Sequence, residues 1–106
     1  MELVRYSFVL LRGPAEAPVL PHAELDALQE QHLAFLKELA DAGKLAVAGP
    51  FSGQPDEAFR GLCIYDTSLD EARTLAAEDP LVRAGRLAVD LMTWWTERGV
   101  VTFNRA

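Results

Sequence analysis

The sequence is poor in the features that mark several large classes of protein. It has a single cysteine, Cys63, so no internal disulfide can form, which is typical of a reducing compartment. No apolar run approaches the roughly 20 residues needed to cross a bilayer. The first residues lack the basic and apolar regions of a secretory signal. We therefore expect a cytoplasmic protein without a membrane-spanning segment.

Positive charge is also scarce. The chain has 10 Lys and Arg against 16 Asp and Glu, for a net charge of −6. The cations are spaced singly, without the basic stripe from which nucleic-acid binding draws much of its affinity. An anionic membrane surface is disfavoured for the same reason. No Gly-rich phosphate loop or dinucleotide-binding fingerprint is present. These absences argue against a nucleic-acid partner, a membrane partner and a cofactor.

What the chain has is the composition of one folded domain. Half of its 106 residues are hydrophobic and a quarter are charged. This length allows one core and is too short for two, so we treat residues 1–106 as a single domain. Runs of β-branched and aromatic residues predict strands, and capping and turn residues bound two helices. The predicted strands are 3–11, 45–48, 58–65 and 86–95, with a short fifth strand at 100–103, and the predicted helices are 21–42 and 68–77.

The order strand–helix–strand, given twice, predicts an α+β fold. This βαββαβ order is that of the ferredoxin-like split βαβ arrangement, with helices on one face of an antiparallel sheet. The first strand is apolar on both faces, however, with Tyr6, Phe8 and Leu10 on one side and Val9 and Leu11 on the other. The second face therefore needs an apolar cover, and a second copy of the same sheet is the simplest one. We expect a homodimer.

His32 lies at an unusual place in the first predicted helix. Helical spacing puts it in an apolar stripe between Leu28 and Phe35, facing whatever the helix packs on. A buried imidazole needs either a hydrogen-bond partner or a chemical role. From the residues alone, a satisfied core histidine and a pocket histidine are both open interpretations.

Three further features are candidates for a site. Asp79 precedes Pro80, as a helix cap does, and its carboxylate could also serve a pocket. Gly49, Pro50 and Phe51 follow the second strand and form either an ordinary turn or part of a substrate-binding wall. Cys63 lies between apolar neighbours in a strand, which favours a buried structural thiol over a nucleophile. His32 and Asp79 are too few ligands for a metal, so we predict none.

Several short motifs, taken in order, carry a family resemblance. The chain resembles the YciI-like family, also called the YCII-related domain, of the dimeric α+β barrel superfamily, over about residues 3–95, with 96–106 as a tail. The resemblance implies a ferredoxin-like protomer whose sheet packs on a partner's sheet. It also implies a pocket with a histidine and an aspartate, roles that fall on His32 and Asp79. The motifs are residues 32–36, 43–45, 49–51, 79–80, 84–85 and 89–95.

Two hypotheses of function follow. In the first, the protein is a small lyase-, isomerase- or hydrolase-like enzyme, with His32 as general acid or base and Asp79 orienting it. A dehydrochlorinase is among the similar proteins. In the second, the protein is a non-catalytic dimer that binds a metabolite or docks onto another protein. The fold cannot choose between them, because this architecture serves enzymes and binding proteins alike.

Overall fold

Strands and helices alternate along the chain in the order that the hydrophobic pattern predicts. In the computed structural model, which describes residues 1–100, each of these elements lies within two residues of its predicted bounds. A one-turn helix begins at the Asp79-Pro80 step. The predicted fifth strand lies outside the described residues, apart from Val100, which is in a turn. The strands are β1 (Leu3–Arg12), β2 (Leu45–Pro50), β3 (Phe59–Tyr65) and β4 (Ala88–Glu97), and the helices are α1 (His22–Asp41), α2 (Leu69–Ala76) and α3 (Pro80–Arg83).

The four strands form one antiparallel sheet in the order β2-β3-β1-β4. This is the ferredoxin-like α+β fold, and it confirms the predicted fold class. Alternation along the strands sends one set of side chains to the helices and the other set to the opposite face. The buried core lies on the helix side, where Val9, Leu11, Cys63 and Tyr65 of the sheet meet Leu39, Ala72 and Ala76 of the helices.

The caps of the helices follow local chemistry. Gly43 ends α1 with φ of 76°, a conformation that favours glycine, and the Lys44 N–H donates to the Leu39 carbonyl, as in a Schellman motif. Pro21, expected in the first turn, is instead the N-cap residue. Ser68 caps α2 by accepting from the Glu71 N–H at 3.1 Å. The Glu71 carboxylate accepts from Lys44 Nζ at 2.7 Å, which ties the start of β2 to α2.

The strand β2 extends further than expected. Gly49 and Pro50 were predicted to close it, but both pair with β3, at Leu62 and Gly61. Proline is tolerated there because β2 is an edge strand, where a missing N–H need not break a ladder. Gly61 makes the pairing close, since a Cβ on it would lie 2.6 Å from the Gly49 carbonyl oxygen.

The sheet face opposite the helices has no cover within residues 1–100. We call it the bare face; the pairing registers place on it Tyr6, Phe8, Leu10, Leu62, Ile64, Val47, Met92 and Trp94. Most are half-exposed, and the Tyr6 and Trp94 rings lie 6.1 Å apart. Arg12 Nε donates to Asp90 Oδ2 at 2.6 Å at one end of the strands. This hydrogen bond holds the pKa of Asp90 below its ordinary value.

Candidate active site

The helix α1 carries His32 into the interior. His32 and Leu39 are the two buried residues of α1, and only 7% of His32 is exposed. Its stripe neighbours Phe35 and Leu36 are half-buried and pack against the core. The stripe therefore faces inward, as its spacing predicts, and the imidazole sits where its hydrogen bonds must come from the protein or from a cavity.

Asp79 is the partner of His32, and it comes from the junction of α2 and α3. Its Oδ1 accepts from the Leu81 N–H at 2.9 Å and so caps α3, while Oδ2 lies 2.7 Å from His32 Nδ1. Asp79 is 3% exposed. One carboxylate thus serves as both helix cap and histidine partner. The 47 residues that separate the two side chains in sequence are brought together by the packing of α1 on α3.

The geometry of this pair assigns a role to each imidazole nitrogen. A carboxylate only accepts hydrogen bonds, so Nδ1 carries a proton and donates it to Asp79 Oδ2. The neutral ring then has its lone pair on Nε2. Nε2 can take a proton from a molecule in the neighbouring cavity, and Asp79 would stabilise the imidazolium that results. The pair can therefore perform general acid–base chemistry.

His32 lines a cavity of about 620 Å³ between α1, the β1–α1 loop and the ends of β2 and β3. Leu25, Leu33 and Leu36 form an apolar wall on the helix side. Of the predicted substrate-binding residues, Gly49 and Pro50 line the cavity. Phe51 lies beyond this lining, half-buried, and its N–H donates to the Arg60 carbonyl oxygen at 2.9 Å.

Cys63 also lines this cavity, at the side of the sheet. It is 2% exposed, and burial raises the pKa of its thiol to about 12, with a further contribution from the nearby charge of Asp79. The same causes, burial first, raise the pKa of Tyr65. A thiol in this state is not a nucleophile at neutral pH, which agrees with the interpretation of Cys63 as structural.

Two cavity residues were not singled out from the sequence. Arg60 reaches the cavity from β3 and Arg86 from the segment between α3 and β4. No local pattern marks either arginine, since both are isolated cations in the sequence. Their meeting depends on how distant segments pack, and only the tertiary structure shows it.

Residues 1–100 lack the marks of a metal centre and of a membrane span. No group of three His, Cys, Asp or Glu side chains converges there as a metal site would require. None of the helices in that part of the chain is long and apolar enough to cross a membrane.

The fold and the His–Asp pocket define a class, the ferredoxin-like α+β proteins with a cavity between helices and sheet. The model of the YCII-related domain matches residues 6–96. The chain belongs to this family. No curated protein matches it.

Two solved structures are similar to the chain. One is a 5-chloro-2-hydroxyhydroquinone dehydrochlorinase from Burkholderia phenoliruptrix AC1100 in complex with 2,5-dihydroxybenzoquinone, with a TM-score of 0.56 and 23% identity. The alignment covers 89% of this chain and 95% of the dehydrochlorinase. The other is a Thermus thermophilus protein described as PII-like in signalling, with a TM-score of 0.47 and 16% identity over 93% of this chain and 96% of that one. At these identities the first similarity supports the fold.

Proposed function

We propose that this protein is an enzyme that moves protons on a small organic substrate, with His32 as general acid or base and Asp79 as its orienting partner. The observation that carries the proposal is the 2.7 Å contact between His32 Nδ1 and Asp79 Oδ2 at the wall of a cavity. A histidine that only filled space would need no cavity beside it. Here Nδ1 is held by a carboxylate, and the ring borders open volume.

The reaction class follows from what the site supplies. It offers one base that can also act as an acid, an apolar wall and a volume suited to a small molecule. Lyase, isomerase and hydrolase-like reactions all begin with such a proton transfer. Membership of the YCII-related family supports an enzyme, because a protein of the same fold acts as a dehydrochlorinase. In this proposal Gly49 and Pro50 border the substrate, and Phe51 supports them from behind.

The test begins with a compound that the comparison provides. The purified protein is incubated with 5-chloro-2-hydroxyhydroquinone, and released chloride is measured together with loss of substrate. Small hydroxylated aromatic compounds and lactones are then screened in the same way. With any substrate found, His32→Gln should abolish turnover. His22→Gln is the matched control, because His22 is the other histidine and stands exposed at the cavity.

Two results would contradict the proposal. Turnover by His32→Gln at the original rate would show that His32 is structural. Tight binding of a metabolite at the cavity, with no turnover by any variant, would favour the non-catalytic binding protein instead.

We also propose that the working protein is a homodimer in the cytoplasm. The bare face carries Phe8, Met92 and Trp94, which a second copy of the sheet would cover. Arg12 and Asp90 are already paired with each other, so a partner sheet would meet no uncompensated charge from them. A reducing compartment is consistent with the single buried thiol, Cys63.

A further inference from the structure

The cavity beside His32 holds more positive charge than the chain as a whole would suggest. The chain has a net charge of −6, yet two arginines, Arg60 and Arg86, line this cavity. We propose that the cavity binds small organic anions, carboxylates or ionised phenols, and that Arg60 and Arg86 recognise their charge. This inference deepens the proposed function, since it concerns the substrate class of the same cavity.

A β-bulge directs Arg60 toward the cavity. Leu11 pairs with Gly61 and Arg12 pairs with Phe59, so Arg60 is the residue that the register shift leaves without a partner in β1. Plain alternation would place Arg60 on the bare face with Leu62. A bulge changes the direction of a side chain in this way. The result is visible in the cavity lining, where Arg60 lies beside Gly13.

Gly13 provides the room that the Arg60 guanidinium occupies. A Cβ on Gly13 would lie 2.8 Å from Arg60 Nε and 3.1 Å from Nη2. The guanidinium therefore rests against the backbone of the β1–α1 loop, at the wall of the cavity. A side chain at position 13 would push it away from this place.

Arg86 is held from the opposite side of the same loop. Its Nη1 donates to the Pro18 carbonyl oxygen at 2.8 Å, which uses one of the five N–H donors of the guanidinium. The turn before it depends on Gly85, with φ of 75°, whose Cα side faces Pro18. Arg86 is half-buried, so the hydrogen bond to Pro18 holds its charge at the cavity.

The ion pairs of the other cations show what is unusual about these two. Within residues 1–100, four cations form ion pairs with Asp or Glu, and neither Arg60 nor Arg86 is among them. The carboxylate at the rim of the cavity, Asp26, lies 3.4 Å from His22 Nε2. Deeper in, Asp79 is already occupied by His32 and Leu81. Two guanidinium groups thus remain to bind an anion, and planar carboxylates suit them.

The experiment compares benzoate with benzamide, which has the same shape without the charge. Binding is measured by isothermal titration calorimetry on the full chain, and amide shifts in NMR spectra locate the ligand at Gly13 and Gly61. Benzoate should bind about tenfold more tightly than benzamide, as hydrogen bonds to charged groups allow. Added NaCl should weaken benzoate binding and leave benzamide binding unchanged.

Variants then assign the recognition to the two arginines. Arg60→Gln and Arg86→Gln should each weaken benzoate binding about tenfold and leave benzamide binding unchanged. Arg83→Gln is the matched control, because Arg83 is an exposed arginine that does not line this cavity. Since Arg86 also ties down the loop at Pro18, Arg86→Lys, which keeps the charge, should retain most of the benzoate affinity.

The outcomes separate this inference from the proposed function. His32→Gln should still bind benzoate, because recognition of charge does not need proton transfer. The anion proposal is overturned if benzamide binds as tightly as benzoate, if the Arg60 and Arg86 variants behave like Arg83→Gln, or if benzoate fails to bind by about 10 mM. Any of these results would leave the His32 mechanism to be judged by its own turnover assay.

Discussion

At the scale of single residues, Asp79 joins a structural and a chemical task in one side chain. Oδ1 caps α3 and Oδ2 orients His32. These tasks can be separated by a substitution that changes one oxygen and keeps the other. The buried position of both residues makes the substitution informative, because solvent cannot easily replace a lost partner.

Asp79→Asn should lower activity far more than stability. The amide oxygen can continue to cap α3, but the amide NH2 would face His32 Nδ1 and force the proton onto Nε2. We expect kcat to fall by about 10²–10⁴-fold, the range for loss of a correctly oriented base. The free energy of unfolding should fall by about 1–2 kcal/mol, measured by urea denaturation. Unchanged kcat in this variant would mean that Asp79 acts as a cap alone.

Cys63 predicts a pH dependence of stability at alkaline pH. Burial raises its pKa from the ordinary 9.0 to about 12 in the folded protein. The unfolded chain therefore loses this proton first, and stability, complete below pH 9, should decline as the pH rises toward 12. The slope from this one group is at most about 1.4 kcal/mol per pH unit.

The measurement is the free energy of unfolding between pH 8 and 11 for the natural chain and for Cys63→Ala. The variant should show a shallower decline, whatever its absolute stability. The raised pKa of Tyr65 adds a decline of the same sign, which both proteins share. Parallel curves for the two proteins would contradict the assignment to Cys63.

At the scale of elements, the contact between β2 and β3 shapes one end of the cavity. Gly49, Pro50 and Gly61 line it there, and the strands approach closely because Gly61 has no side chain. The same part of β3 holds the bulge that directs Arg60. The strand pairing and the cavity wall are therefore one piece of structure.

Gly61→Ala should destabilise the protein where Gly49→Ala does not. A Cβ at position 61 would lie 2.6 Å from the Gly49 carbonyl oxygen, which is backbone and cannot rotate away, whereas a Cβ at position 49 meets no atom within 4 Å. We expect Gly61→Ala to cost about 1–3 kcal/mol. Gly49→Ala should stay within about 0.5 kcal/mol. Chemical denaturation of both variants tests this, and equal effects would refute the close approach.

At the scale of the whole molecule, the distribution of apolar surface is uneven. The helices cover one sheet face, and the bare face leaves Met92 and Val47 each 45% exposed. Patches of this kind on a soluble protein commonly mark an interface. The homodimer proposal connects this surface to stability, since folding and association would then be linked.

Val47→Glu should therefore weaken the dimer and lower its melting temperature, because it would bury a charge between the sheets. Val19→Glu is the matched control, since Val19 is 96% exposed and outside the sheet. The melting temperature of the natural chain should also rise with protein concentration. Sedimentation equilibrium that shows a folded monomer at micromolar concentration would contradict the dimer.

Some features of this protein were determined by the sequence alone. The strand and helix order, the Gly43 stop, the Ser68 cap and the inward direction of His32 are local, because they depend on alternation, helical period and the backbone freedom of glycine. The fold class followed from this order, and the family from short motifs that retain their order along the chain.

Other features were decided only by the tertiary structure. The extension of β2 depends on its pairing with Gly61, and the bulge that frees Arg60 depends on the register of β1 against β3. The cavity joins Gly13, Arg60 and Arg86, and no pattern within one segment marks them as neighbours. Local periodicity determines which way a side chain faces, but which distant side chains it meets depends on long-range packing.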